Sequence, residues 1–191
     1  MNKMAFRIIT LAIFGIRYVS AHVLSGESGW LHPLSGIDHM IAMIAVGAWS
    51  AQLGGRAIFS VPLAFVVAMF IGGIIGFTHS NLPFAEKGIA VSVLLLGLAI
   101  ALERRLPIFL AVVGVGLFGI CHGYAHGYEM PSVTNKYFYV MGFLITTACL
   151  HLVGAIGGLL ILENKHGRIY LRLCGGIAII IGIWLISQLA K

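Results

Sequence analysis

Residues 57–78 read AIFSVPLAFVVAMFIGGIIGFT, a stretch without a single charged side chain. A helix of about 20 apolar residues, each rising about 1.5 Å, crosses the hydrocarbon core of a bilayer, so the stretch predicts a transmembrane helix. Five more apolar segments follow the same pattern, separated by brief connections that hold Gly, Pro, Asn and charged residues: 35–54, 85–102, 106–127, 137–162 and 169–189. The expected fold is an all-α, polytopic membrane protein with six transmembrane helices.

The composition supports this fold class. Of the 191 residues, 60% are hydrophobic and 9% are charged, and the mean hydropathy is +1.02. Soluble domains carry about 25% charged residues, so this chain has too few to build a polar shell and must contact a lipid bilayer. The alternating pattern of a membrane β-barrel is absent. The formal net charge of +6 resides in short connections, where it sets topology, and we expect no nucleic-acid partner.

The N-terminus has the features of a signal peptide in residues 1–21. A basic start precedes an apolar run over residues 8–16, and small residues occupy the cleavage position at 19–21. Cleavage would leave residues 22–191 as the six-helix transmembrane domain. Arg17 interrupts the end of the run, so an uncleaved anchor stays open as an alternative.

The distribution of Lys and Arg predicts the orientation of the six helices. With the mature N-terminus and the C-terminus both outside, the inner side holds six basic residues and the outer side three. This excess fits the positive-inside rule. The inner residues are Arg56, Arg104, Arg105, Lys165, Arg168 and Arg172, and the outer ones are Lys87, Lys136 and Lys191.

The first group of unexpected polar residues is at the start of the first long segment, where residues 32–40 read HPLSGIDHM. Ionisable side chains in a spanning helix cost several kcal/mol unless they are paired, coordinated or hydrated, so they indicate function. Imidazole and carboxylate are ligands for divalent first-row metals. His39 and Met43 share a helix face, and a helix break after the proline is needed to bring His32 near Asp38.

The second group ends the fourth segment, where residues 121–129 read CHGYAHGYE. His122, His126 and Glu129 lie at i, i+4 and i+7, which places them on one helical stripe. Two glycines beside the stripe are also four residues apart. This spacing predicts a face where a second helix approaches closely.

The predicted topology places both groups at the same, outer, depth. His79 ends the second segment on that side, and His151 lies deeper, near the middle of the fifth. For both His79 and His151, a structural role is as good an interpretation as metal binding. His22, just past the cleavage point, and Cys121, next to the second group, are further candidate ligands, although packing is the simpler interpretation of Cys121. Glu86 is interpreted as a loop charge without a special role.

Both motifs resemble a known family. The pattern H-P-x-x-G-x-D-H-x-x-x-M, from His32 to Met43, is similar to the first signature of the HupE/UreJ proteins. The pattern H-G-x-A-H-G-x-E, from His122 to Glu129, is similar to the second. The resemblance spans essentially the whole mature chain. It implies that the following residues handle the metal: His32, Asp38, His39, His122, His126 and Glu129.

The resemblance also implies a function. HupE/UreJ proteins are permeases of the bacterial inner membrane for nickel, and in some members cobalt, which serve enzymes such as hydrogenase and urease. The implied substrate is Ni²⁺ or Co²⁺, with no organic cofactor and no enzymatic activity. No Walker motif occurs, so we expect no ATP hydrolysis.

Two other functions stay open on the residues alone. The histidines could hold Zn²⁺ in an intramembrane hydrolase, although the glutamate is not placed as in an HExxH motif. The chain could also be a metal sensor or an accessory membrane subunit. The residues do not distinguish nickel from cobalt, and they do not indicate an oligomeric state.

Overall fold

The computed structural model describes residues 29–78, 84–103, 106–130 and 135–189, without the side chains of His32 and Ser35. The predicted signal peptide, His22 and His79 lie outside the described residues. Within these residues the chain forms seven helices: α1 (His32–Ser35), α2 (Ile37–Leu53), α3 (Ala57–Phe77), α4 (Ala85–Leu102), α5 (Ile108–Tyr128), α6 (Lys136–Glu163) and α7 (Gly167–Gln188). All six predicted segments are therefore helical.

The helix starts differ slightly from the prediction, for local reasons. Gly36 adopts an extended conformation, with φ −93° and ψ 117°, which separates α1 from α2. The break lies in the stretch where one would be needed to bring His32 near Asp38. The start of α6 is set by Asn135, whose side chain accepts hydrogen bonds from the backbone N–H groups of Tyr137 and Phe138.

Five of the described helices, α3 to α7, are long and apolar enough to cross a membrane. Helix α2 has 17 residues, one fewer than α4, the shortest of the five. The described outer surface is apolar, with large exposed side chains such as Phe59, Leu63 and Ile180. Such a surface suits lipid. Multiple apolar helices make this a multi-pass membrane protein, while a sixth crossing by α2 stays a prediction.

Glycines join the helices in three close pairs. In the parallel pair α3–α5, a Cβ atom at Gly123 would collide with the backbone of Met69, and one at Gly127 with that of Gly73. These are the two glycines of the second motif, so the predicted close approach is confirmed. Helices α2 and α6 form a second parallel pair, and α4 and α7 pack antiparallel, with Gly97 facing Gly175.

Helix α2 lies at the centre of the bundle, because it packs against α3, α4, α6 and α7. Its interior position explains how a helix with a polar start is accommodated. The end of α4 and the start of α7 are joined by polar contacts. Arg172 donates from Nε to the carbonyl of Ala101 at 3.0 Å, and Arg168 pairs with Glu103 at 3.4 Å.

Candidate metal site

Three histidine rings from two helices contact each other inside the bundle. The ring centroid of His39, on the first turn of α2, lies 5.1 Å from that of His122 and 5.0 Å from that of His126, both on α5. His122 and His126 are fully buried, and the side chain of His39 is 13% exposed. We call these three residues the imidazole cluster. The structure thus brings the two sequence motifs together.

The orientation of His39 is fixed by its neighbour in sequence. Its Nδ1 lies 3.0 Å from Oδ1 of Asp38, and its backbone N–H donates to the same oxygen at 2.9 Å. A carboxylate only accepts hydrogen bonds, so Nδ1 of His39 carries the proton. The other nitrogen, Nε2, is buried without a hydrogen-bond partner in the described structure. It therefore presents a lone pair to the cluster.

The orientation of His122 is fixed in the same way by the backbone. Its Nδ1 lies 2.9 Å from the carbonyl oxygen of Phe118, one turn earlier on α5. A carbonyl cannot donate, so Nδ1–H of His122 donates and Nε2 keeps its lone pair. This Nε2 is also buried with no hydrogen-bond partner among the described residues. Protein metal sites commonly use such imidazoles, held at one nitrogen and free to bind at the other.

The third ring, that of His126, is held by an aromatic neighbour. It stacks on Phe143 of α6, with a centroid distance of 5.1 Å and an interplanar angle of 13°. Phe143 is fully buried and contacts the ring of Tyr139 one turn earlier. Rings from α5 and α6 therefore fix one wall of the cluster.

A pocket of about 260 Å³ leads to the cluster and carries three carboxylates. Its lining includes Asp38, His39 and Glu129, together with Glu86 from the first turn of α4 and Gln188 from the last turn of α7. The starts of α2 and α4 and the ends of α5 and α7 therefore meet at one end of the bundle. We call it the cluster end, and residues of both motifs lie there.

The positions of two glutamates refine the sequence analysis. Glu129 lies one residue beyond α5 and is exposed, while its N–H still donates to the carbonyl of Ala125 at 2.9 Å. Glu129 therefore continues the helical stripe of His122 and His126, but it lies at the mouth of the pocket. The interpretation of Glu86 as a loop charge is wrong. The signal that could have found it is the predicted topology, which already put the start of the third segment beside both motifs.

His151 lies further from the cluster end, and one phenylalanine ring contacts both His151 and His122. The ring of Phe65, on α3, is 5.2 Å from that of His122 and 5.0 Å from that of His151, measured between centroids. His151 is 2% exposed, and neither ring nitrogen has a hydrogen-bond partner in the described structure. Phe65 could not be identified from the sequence, because a phenylalanine in an apolar run carries no distinguishing signal.

The remaining candidate ligands have other contacts or are not described. Met43 is fully buried one turn beyond His39, and its sulfur accepts a hydrogen bond from the hydroxyl of Thr147 at 3.3 Å. The side chain of Cys121 packs against Gly88 of α4, which favours a packing role. The backbone of His32 begins α1.

The cluster is not a finished coordination shell in the part of the chain that is described. Over those residues, no group of three or more His, Cys, Asp or Glu side chains has the arrangement of a metal site. What the structure provides is three buried imidazoles in mutual contact, two of them oriented, with carboxylates at the pocket above them.

Comparison with known proteins places this geometry in a family context. The sequence matches the family described as HupE / UreJ protein over residues 10–185. It is 39% identical over 183 residues to "Protein HupE" of Rhizobium leguminosarum bv. viciae, covering 95% of each chain. No solved structure matches.

Proposed function

Since the chain belongs to the HupE/UreJ family, we propose that it is a permease that imports Ni²⁺, and also Co²⁺, across the bacterial inner membrane. The observation that carries this proposal is the contact of His39 with His122 and His126, which joins the two motifs inside the bundle. The cluster end faces the outer compartment, and the ion is substrate rather than a resident cofactor.

The donor set suits a borderline transition metal. Two imidazoles that bind one ion through nitrogen at about 2.1 Å place their ring centroids roughly 5 Å apart, which is the spacing of His39 from His122 and His126. Neutral imidazole favours Ni²⁺ and Co²⁺, whereas Mg²⁺ and Ca²⁺ prefer shells of oxygen. The cluster therefore selects against the abundant divalent ions.

The pocket at the cluster end provides the entry. Carboxylates of Asp38, Glu86 and Glu129 raise the local concentration of cations near its lining. An ion that reaches His39 exchanges water for imidazole nitrogen and moves to the buried His122 and His126. The membrane potential favours inward movement of a divalent cation by ~4.6 kcal/mol per 100 mV.

Reconstitution tests the proposal. Liposomes that contain the purified full chain are expected to take up radiolabelled Ni²⁺ faster than protein-free liposomes. Excess Co²⁺ is expected to compete, and excess Mg²⁺ is not. The double variant His39→Ala/His122→Ala is the matched negative control, because it removes two imidazoles from the cluster.

Two results would count against the proposal in different ways. Uptake by the wild-type chain no faster than in protein-free liposomes would refute the permease function. Equal uptake by the wild type and the double variant would leave the function but remove the imidazole cluster as its site.

A further inference from the structure

The buried ring of Phe65 contacts two imidazoles that no described ring contact joins directly. Its centroid lies 5.2 Å from that of His122, in the imidazole cluster, and 5.0 Å from that of His151. Phe65 is fully buried, and its backbone is pressed against Gly119 of α5, so the residue has little freedom except in its side chain. The ring therefore lies beside the direct route from His122 to His151.

His151 lies at a distinct depth along the bundle. Its backbone packs against Gly47, which is two helical turns beyond His39 on α2. Eight residues of helix correspond to roughly 12 Å, so His151 lies well below the cluster. At the depth between them, the hydroxyl of Thr147 and the sulfur of Met43 are in contact at 3.3 Å.

The chemistry of His151 points to a ligand. A buried imidazole costs free energy when its nitrogens lack hydrogen bonds, and in the described structure both nitrogens of His151 lack them. Its one described ring contact is the ring of Phe65, with an interplanar angle of 88°. An imidazole whose two nitrogens have no hydrogen-bond partner among the described residues is suited to bind an ion in passing.

We propose that His151 is a second, inner position for the transported ion, and that the ring of Phe65 is the gate between it and the imidazole cluster. This inference rests on the proposed function. With the ring in its observed place, the apolar constriction excludes a hydrated ion, as hydrophobic gates do in channels. Rotation of the ring opens the step from His122 past Thr147 and Met43 to His151, while the backbone stays in place.

Four full-length proteins in liposomes test the gate: the wild type, Phe65→Leu, His151→Ala and Phe70→Leu. Phe70 lies on the same helix but is exposed, so its variant is the matched control. We expect Phe65→Leu to raise the initial rate of Ni²⁺ influx several-fold. We expect His151→Ala to reduce influx to near the rate of protein-free liposomes. Phe70→Leu is expected to match the wild type.

A binding measurement separates this role from a merely structural one. Titration of the detergent-purified proteins with Co²⁺, followed by its visible absorption, reports the imidazole cluster. Both Phe65→Leu and His151→Ala are expected to keep the wild-type Co²⁺ affinity while their influx rates change in opposite directions. If Phe65→Leu does not fold, Phe65→Met provides a flexible side chain of similar size for the same measurements.

Each result that contradicts these expectations overturns a different part of the proposal. Influx by Phe65→Leu or Phe65→Met no different from that of Phe70→Leu would overturn the gate. Wild-type influx by His151→Ala would overturn the inner position. An absence of Ni²⁺ influx in the wild type itself would overturn the permease function, and the gate with it.

Discussion

His122 and His151 both contact the ring of Phe65, yet their surroundings differ. Both are buried, with ring centroids 5.2 Å and 5.0 Å from Phe65. His122 is oriented by the carbonyl of Phe118 and contacts His39, whereas the ring nitrogens of His151 have no hydrogen bond in the described structure. Burial alone therefore does not define a binding site, because orientation and neighbouring ligands decide affinity.

This difference matters for transport. An oriented imidazole beside other imidazoles binds an ion tightly, and a solitary one binds it weakly. Conduction needs binding that is strong enough for entry and weak enough for release. In the proposed order, the ion moves from the imidazole cluster, which binds it more strongly, to His151, which binds it more weakly.

The largest loss of Co²⁺ affinity is expected when the oriented imidazole of His122 is removed. His122→Ala should weaken Co²⁺ binding by more than about 100-fold, since loss of a group that only orients a ligand already costs about 10–100-fold. Equilibrium titration of the purified protein measures it. His166→Ala, an exposed histidine before α7, is the control and should bind normally. An equal loss of affinity in His151→Ala would erase the proposed difference between the two histidines.

A smaller effect is expected when the orienting carboxylate is neutralised. In Asp38→Asn the amide oxygen can still accept the hydrogen bond from Nδ1 of His39, but the negative charge that makes the imidazole more basic is gone. Affinity for Co²⁺ should fall by about 10-fold, the lower end of the range for such groups. Glu163→Gln, at the exposed end of α6, is the matched charge control. Unchanged affinity in Asp38→Asn would show that His39 does not depend on its neighbour.

The smallest effect is expected at the pocket mouth. Glu86→Gln should slow the initial Ni²⁺ influx by about twofold at low salt, where the Debye length is about 30 Å. The difference should shrink at physiological ionic strength, where charges are screened within about 8 Å. The neighbouring variant Lys87→Gln should change the rate in the opposite direction. A salt-independent loss in Glu86→Gln would indicate direct coordination instead of attraction.

The sequence predicted most of the fold, because each helix is an apolar run bounded by polar or glycine-containing connections. The helix break at Gly36 falls in the stretch where the sequence analysis required one for His32 to approach Asp38. The pairing of helices was not predictable, since Gly123 and Gly127 indicate that some helix comes close but do not identify α3. The contact between His39 and His122 depends on that packing.

Other parts of the site carried too weak a signal in the sequence. Phe65 is one of eleven phenylalanines, and only its contacts distinguish it from Phe70 on the same helix. Glu86 lies next to Lys87 in sequence and resembles a common loop charge. Its place in the pocket depends on how α4 packs beside α2.

The three glycine-joined pairs, α2–α6, α3–α5 and α4–α7, also have a consequence for biogenesis. None of them joins neighbours in the chain, so a ribosome releases each first helix well before its partner. Helix α2, with Asp38 and His39, is synthesised while α6 is still unmade. If α2 crosses the membrane as predicted, lipid headgroups or the translocon must solvate those two side chains at that stage. The imidazole cluster, which joins α2 to α5, is consequently completed only after three further helices have followed α2.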